Sequence, residues 1–353
     1  MTKSKIAEGR RMIFQDVISK LCSREDLGND EARSLMDSMM RKELTDAQAG
    51  AVLIALQSKG ITAEELSAFA EALNGFAVRI RPKAKNLVDT CGTGGDKSNT
   101  FNISTATAIV LAACGVHVAK HGNRSVSSRS GSADVLEKLG VKVSISPKCV
   151  ERCIDEIGIG FLFAPSHHPA FKSVAHIRKE LGTRTVFNML GPLLNPAGAR
   201  AQLIGVFEPG LTELFAEALK RAGTKSAMIV HGDDGLDELS ICAGTKVTQL
   251  KDSTIRTFQI TPEDAGLKRG RIEDLLSRNA DESAGMIVKI LEGKRSARRD
   301  IVLLNVATGL VVAGKACTLK EGVVSAAKAI DSGAAKEKLE QLKRLSNDLA
   351  EDC

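Results

Sequence analysis

Leu87-Val88-Asp89-Thr90-Cys91-Gly92-Thr93-Gly94-Gly95-Asp96 runs from a short apolar stretch into three glycines and an acid. A few residues on, 104–114 is apolar and Ala-rich, which predicts a helix. Strand, glycine turn and helix together open an α/β unit, and the texture continues on the C-terminal side. Residues 116–119, 160–163, 203–207 and 226–230 read as further strands, and 133–139, 211–222 and 300–313 as further helices. This alternation predicts a mainly parallel sheet with ligands gathered at the carboxyl ends of its strands. Ser146-Pro147 and Thr261-Pro262 each place Pro just after a capping hydroxyl and predict two more helix starts.

On the N-terminal side the pattern is helical only. Asn29 opens a stretch with Leu35, Met36, Met39 and Met40 on one face. Thr45 with Gln48, and Thr62 with Glu65, fit the capping box, and Gly60 closes the helix between them. Arg81-Pro82-Lys83 breaks the pattern, so we expect a small helical domain over 1–82 and an α/β domain over 83–353. Val52, Ile54 and Leu56 join the methionines in a surplus of apolar residues over what two or three helices bury alone. That surplus predicts a homodimer through this block.

Bulk properties exclude several classes. The chain has 353 residues, and 49 Lys and Arg against 43 Asp and Glu leave a net charge of +6. It has only short basic tracts, such as Lys294-Arg295, so no nucleic-acid partner is expected. The N-terminal residues lack the apolar core of a secretory signal, and no run is long enough for a membrane span. The 8 cysteines are scattered without a CxxC pair and read as reduced thiols in a cytoplasmic protein.

Four constellations carry chemistry. The glycine turn 92–95 with Asp96 is either a plain turn or a phosphate cradle, and it fits neither the Walker nor the dinucleotide pattern. Thr100-Phe101-Asn102-Ile103-Ser104-Thr105 adds more hydroxyl and amide groups at a helix start than capping needs. Lys120-His121-Gly122-Asn123-Arg124-Ser125-Val126-Ser127-Ser128-Arg129-Ser130-Gly131-Ser132 follows a strand with three cations and several hydroxyls, enough to bind a polyanion. His231-Gly232-Asp233-Asp234-Gly235-Leu236-Asp237-Glu238 can be an acidic turn or an Mg²⁺ edge. His167-His168 with Arg178, and Gly191-Pro192-Leu193-Leu194-Asn195-Pro196, are polar or turn-forming on their own. Together these groups describe a site for a magnesium-bound phosphorylated substrate, without naming the acceptor.

The ordered set GTGGD, TFNIST, KHGNRSVSSRSGSADVLEKLG, HHPAFKSVAHIRKELGTRTVFNMLGPLLNP and HGDDGLDELS resembles the anthranilate phosphoribosyltransferase family over nearly the whole chain. The KHGNR and GPLxNP blocks are specific, whereas GTGGD is shared with pyrimidine nucleoside phosphorylases. The resemblance implies transfer of ribose 5-phosphate from 5-phosphoribosyl 1-pyrophosphate (PRPP) to anthranilate. It also implies a homodimer formed through a helical domain that includes part of 166–196. By the same resemblance Gly92, Gly95, Asp96, Thr100, Asn102, Ile103, Ser104, Thr105, Lys120 and Ser132 contact PRPP. His121, Gly122, Asn123 and Arg124 join these contacts, and the loop Ser125, Val126, Ser127 and Ser128 closes over its phosphates. Gly92, Asn123 and Arg178 take anthranilate, with His121 and His168 lining the approach, and Ser104, Asp237 and Glu238 take Mg²⁺. No residue is assigned as a general base. Leu194 and Phe171 stand where many relatives have Thr and Met, and neither falls on a matched ligand position. Alternatives are a pyrimidine nucleoside phosphorylase and a nucleic-acid-binding relative of the same fold.

Overall fold

The computed structural model describes residues 14–125 and 130–351. Four helices come first: α1 (Phe14–Cys22), α2 (Asn29–Met40), α3 (Asp46–Lys59) and α4 (Ala63–Asn74). Both expected capping boxes form. Thr45 Oγ1 accepts from Gln48 N at 3.3 Å, Thr62 Oγ1 from Glu65 N at 3.2 Å, and each N3 side chain returns to the cap N–H. Gly60, at φ 91°, ends α3 as a residue without Cβ can.

The α/β portion then runs β1 (Val88–Asp89), α5 (Ile103–Ala113), β2 (Val118–Gly122), α6 (Ser132–Lys138), α7 (Pro147–Ile157) and β3 (Ile159–Phe163). Three helices follow, α8 (Ala164–His167), α9 (Lys172–Leu181) and α10 (Phe187–Leu190), before β4 (Ala201–Gly205), α11 (Leu211–Arg221) and β5 (Ser226–Gly232). The chain ends with β6 (Thr245–Lys251), β7 (Thr254–Ile260), α12 (Ala280–Leu291), α13 (Ala297–Val312), α14 (Leu319–Asp331) and α15 (Ala334–Glu351). Ser146 caps α7 as expected, but Thr261-Pro262 opens only a short 3₁₀ turn, because Gly266 at φ 75° stops it within four residues.

One seven-stranded sheet has the order β3-β2-β1-β4-β5-β6-β7. Pairs from β3 through β5 are parallel, and β6 and β7 add an antiparallel hairpin that the sequence reading did not include. The chain leaves β1 towards β2 on one side and later returns to β4 on the other. Their carboxyl ends therefore flank a crevice, the usual place for a ligand in such a sheet. Side chains alternate between two cores. Ile204, Ala227 and Ile229 face the cluster that holds α1–α4 and α11, whereas Leu203, Met228 and Val230 face α13.

Val174, Ile177, Phe187, Leu190 and Leu194 pack in the same cluster as Val52, Leu56 and Phe69 of the N-terminal helices. That cluster changes one expectation. Met36, Met39, Met40, Val52 and Leu56 are at most 6% exposed within their own chain, and only Ile54, at 41%, stands out. The surplus invoked for a dimer is thus absorbed by α9, α10 and α11, which lie too far along the chain to be counted with the first helices.

Cys22, Cys91, Cys114, Cys153, Cys242 and Cys317 are free thiols. Cys149 is disulfide-bonded, against the expectation of reduced thiols. Here α15 runs back across α7 and brings the Leu349 carbonyl within 3.7 Å of the Cys149 sulfur, a proximity invisible in the spacing of cysteines.

Candidate functional site

The glycine loop leaves β1 and is fastened at once to the end of β4, Thr93 N donating to Gly205 O at 2.8 Å. Gly205 must be glycine because a Cβ there would collide with the Asp237 backbone. At Gly92 a Cβ would stand 3.1 Å from Gly205 O and 3.3 Å from an Asp237 carboxylate oxygen. The glycines thus let the turn after β5 close on the loop after β1. Asp237 N reaches towards an Asp96 oxygen at 3.4 Å, at the long end for such a bond.

Asp96, Asp237 and Glu238 consequently share one lip. Burial raises the Asp237 carboxyl well above its ordinary value, helped by repulsion from Asp96 and Glu238. Burial also lifts Glu238 to about 8, opposed by the charge of Lys120 and by the Ser104 N–H that it accepts. Crowded acids of this kind welcome a cation. The two acids nearer the turn do otherwise. Asp234 accepts from Ser240 Oγ at 2.5 Å, Asp233 is exposed, and both shape the turn itself. The ambiguous acidic stretch therefore divides, its first pair building the turn and its second pair facing the loop after β1.

Lys120 is 3% exposed on β2, and its Nζ donates to Thr90 O at 3.1 Å, Thr90 Oγ1 at 3.3 Å and Ser104 Oγ at 3.2 Å. Burial lowers its pKa against the pull of Asp89 and Glu238. Asn102 caps α5 through Thr105 N at 3.0 Å and also takes the Ser104 hydroxyl at 3.4 Å. The structure thus unites Gly92, Asp96, Asn102, Ser104, Lys120, Asp237 and Glu238. Ile103 and Thr105 turn their side chains into the core, at 2% and 0% exposed, so only their backbone groups remain for a ligand. Thr100 lies at the loop's exit, bridged to Leu276 and 3.4 Å from Ser98 Oγ.

The Lys120–Ser132 loop is closed by Asp134, which accepts from Ser125 N at 3.0 Å and Gly131 N at 2.9 Å. Asn123 O accepts from Ser132 Oγ at 3.3 Å, and its side chain accepts from Arg124 N at 2.8 Å. Gly122 lies so close to Ser132 that a Cβ there would collide with its hydroxyl. Arg124 is paired with Asp134 at 3.1 Å and Glu137 at 2.6 Å, so its charge is already committed to the following helix α6. Val126, Ser127 and Ser128 lie outside the described residues.

From Lys120 a wall of rings leads away. His121 follows it in sequence and meets His168 edge-on at 5.2 Å. His168 stacks on Phe171 at 5.4 Å, Phe171 meets Phe187 at 5.6 Å, and the Arg178 guanidinium covers Phe187 at 5.3 Å. Among the described residues Arg178 has no carboxylate partner, and burial lowers its pKa. Burial holds His121 at about 3 and His168 at about 4, so both rings are neutral.

Asp89 and Asn195, each inside a quoted motif but given no role there, meet beneath this wall. Asp89 is fully buried and raised to about 6, burial outweighing the Asn195 amide at 2.7 Å and the His121 N–H at 3.1 Å. Among the described residues, Asp89, Cys91 and His121 are the acid, cysteine and histidine group close enough to hold an ion. Both Asp89 oxygens are already bonded and Lys120 stands beside them, so the group reads as an internal network. Asp96, Asp237 and Glu238 form no such tight cage, which suits Mg²⁺ held by few carboxylates plus water and phosphate.

A helical bundle domain of the glycosyl transferase family matches residues 15–77, and that family's a/b domain matches 84–336. Anthranilate phosphoribosyltransferase of Desulfosudis oleivorans is 52% identical over 331 residues, 94% of this chain and 98% of its own. The crystal structure of the enzyme of that name from Thermus thermophilus aligns with a TM-score of 0.89 at 41% identity, covering 94% of this chain and 99% of its own. That from Saccharomyces cerevisiae, in complex with PRPP and Mg, aligns at 0.86 with 29% identity over 95% and 98%.

Proposed function

The chain belongs to the anthranilate phosphoribosyltransferase family, and on that premise we propose how its residues divide the work. The reaction moves ribose 5-phosphate from PRPP to the amino group of anthranilate and releases pyrophosphate. PRPP is proposed to lie along Gly92, Gly95, Asp96, Thr100, Asn102 and Ser104, with Lys120 and the loop from His121 to Ser132 around it. Anthranilate is proposed to lie at the far end of the ring wall, its carboxylate on Arg178 and its ring against aromatic neighbours, near Asn123. The observation that carries this division is the wall itself, four contacting rings that run from His121, beside Lys120 in sequence, to Arg178, which among the described residues has no carboxylate partner.

Asp237, Glu238 and Ser104 would hold Mg²⁺, which supplies charge neutralisation at the departing pyrophosphate. As that bond lengthens, C1 of the ribose gains positive charge and the amine attacks it. The anthranilate amine is already neutral at pH 7, so a strong base is not needed. Positioning and leaving-group stabilisation carry the rate. His121 donates through Nδ1–H to Gly191 O at 3.2 Å if it takes that tautomer, leaving Nε2 as an acceptor. No residue is assigned as a base.

Residues 1–82 with part of 166–196, and residues 83–353, are proposed as the two domains on the strength of the shared apolar cluster. A homodimer is proposed from the family resemblance together with the exposed Ile54. Sedimentation would give twice 37.5 kDa if it is right and 37.5 kDa if it is not. A cytoplasmic location is proposed from the family's biosynthetic role; among the described residues no helix is long and apolar enough to cross a membrane.

The activity is tested by anthranilate fluorescence, with little background in a chain that has 0 Trp and 0 Tyr. The signal should fall only when enzyme, PRPP and Mg²⁺ are all present. No fall with all three, or phosphorolysis of thymidine instead, would overturn the reading.

A further inference from the structure

Arg184 lies between α9 and α10, in the same segment as Arg178, yet its guanidinium leaves that segment. One terminal nitrogen donates to the Gly95 carbonyl in the loop after β1. The guanidinium lies over the Phe207 ring, just past β4, at 3.9 Å from its centre. Among the described residues it pairs with the carboxylate of Glu208 at 3.7 Å, itself 63% exposed, so solvent screens that pair. A guanidinium spread on a ring with a donor on a carbonyl is held by shape more than by counter-charge.

The middle of the loop that it touches is held by few bonds: Asp96 accepts from Ser98 N at 3.1 Å and from Asp237 N at 3.4 Å, and the Asp237 carboxylate takes the Gly94 N–H. Gly94, Gly95, Lys97 and Asn99 all have positive φ, at 63°, 79°, 61° and 57°, and two of them carry a Cβ that disfavours this region. Backbone bonds fasten its ends, at Thr93 to Gly205 O and at Asn99 O to Ser277 N, 2.8 and 2.9 Å. Between those ends the Arg184 contact falls at Gly95. The described peptides are all trans, so the C=O and N–H of the Gly95–Asp96 peptide point opposite ways. Fixing Gly95 O on Arg184 therefore turns the Asp96 N–H away from the guanidinium and sets where the Asp96 side chain leaves the chain.

We infer that Arg184 is a positioning residue for the donor. Acting through the Gly95 carbonyl, it holds the 92–99 loop in the shape that takes the pyrophosphate of PRPP, although the chain carries it on the acceptor's segment. This rests on the proposed assignment of PRPP to that loop.

The test is steady-state kinetics by anthranilate fluorescence on the full chain, with each substrate varied in turn, for wild type, Arg184→Met and Arg184→Lys. Met keeps an apolar stem on Phe207 without donors, and Lys keeps the charge without the planar fork. The PRPP KM should rise about tenfold or more in Arg184→Met and by less in Arg184→Lys, with the anthranilate KM within about twofold. Calorimetric titration of Mg²⁺–pyrophosphate should rank the three proteins in the same order without turnover. An unchanged PRPP KM in a folded Arg184→Met overturns the inference. A rise confined to anthranilate, or equal in both substrates, overturns it as well. Should Arg184→Met melt early, Phe207→Leu removes the shelf alone: a PRPP-selective rise supports the inference and no rise overturns it. A wild type that neither consumes anthranilate nor binds Mg²⁺–pyrophosphate fails the donor assignment. A wild type that does both, beside an unchanged variant, fails this inference only.

Discussion

At the acidic lip, burial and mutual repulsion raise Asp237 and Glu238, the latter to about 8. Along the ring wall, burial lowers His121 to about 3 and His168 to about 4. Both regions favour their neutral forms, but they differ in what would restore charge. Burial is the largest cause in both regions, but the lip's buried groups are acids that also repel one another, so a divalent cation restores their charge. The wall's buried groups are bases that burial leaves neutral, which suits a flat aromatic amine. One half of the site is therefore built to be neutralised by a ligand, and the other to remain uncharged beside one.

The largest effect should come from breaking the lip. Asp237→Asn with Glu238→Gln keeps the shape and removes both charges. A few charge-assisted contacts at roughly 1.5–3 kcal/mol each would lower turnover by about two to four orders of magnitude. Circular dichroism should show a folded protein, and near-normal turnover at limiting Mg²⁺ would make these acids mere turn formers. At the far end of the wall, Arg178→Ala should raise the anthranilate KM roughly 10- to 100-fold, with the PRPP KM changed far less. Equal changes in both would remove Arg178 from acceptor binding.

A third measurement sets the two regions against each other. Glu238, raised to about 8 from 4.5, binds more protons folded than unfolded, so its contribution to stability is complete below 4.5 and is lost as pH rises through about 8. The histidines, depressed from 6.5 to about 3 and about 4, contribute fully above 6.5 and lose that contribution as pH falls towards those values. Each group adds at most about 1.4 kcal/mol per pH unit. On these three groups the melting temperature should therefore rise as pH falls from about 9 to about 7 and decline below about 6.5, where two histidines losing stability outweigh one acid gaining it. Saturating Mg²⁺ should flatten only the upper limb. An upper limb that survives in the Asp237→Asn, Glu238→Gln protein would have another origin. The smallest effect belongs to Asp233→Asn, at an exposed carboxylate whose one side-chain contact among the described residues is Gln259 at 3.5 Å. It should shift stability by less than about 0.5 kcal/mol and leave turnover within about twofold. A large loss of activity would mean the acidic stretch does not divide as described.

What the sequence discloses follows from which forces are local. Capping boxes at Thr45 and Thr62 need only three-residue spacing and are legible. The strands are legible too, but 116–119 is displaced by two residues: β2 spans Val118–Gly122, so Lys120 and His121 lie within it. A reading that ends strands at polar residues will fail wherever a strand carries its site on its own carboxyl end. The β6–β7 hairpin escapes that reading because 245–251 does not alternate, Val247 and Leu250 lying three apart, although Asp252-Ser253 supplies two positive-φ residues at the turn. Helices α12, α14 and α15 escape it as well, despite the Asn279 and Thr318 caps of the first two. Asp89 and Asn195, 106 positions apart, and Arg184 and Gly95, 89 apart, act only through tertiary contact, and no spacing rule reaches so far.

The apolar cluster shared by the first helices and the 172–194 segment also bears on how the chain is made. Val52, Leu56 and Phe69 leave the ribosome about a hundred residues before Val174, Ile177 and Phe187, which complete their cover. Emerging at about 5–20 residues per second, the first four helices wait several seconds or more with a sticky face open. A fragment ending near residue 82 should therefore aggregate or bind a chaperone instead of folding alone. The whole chain's folding rate should follow these long-range closures more than the speed of its helices.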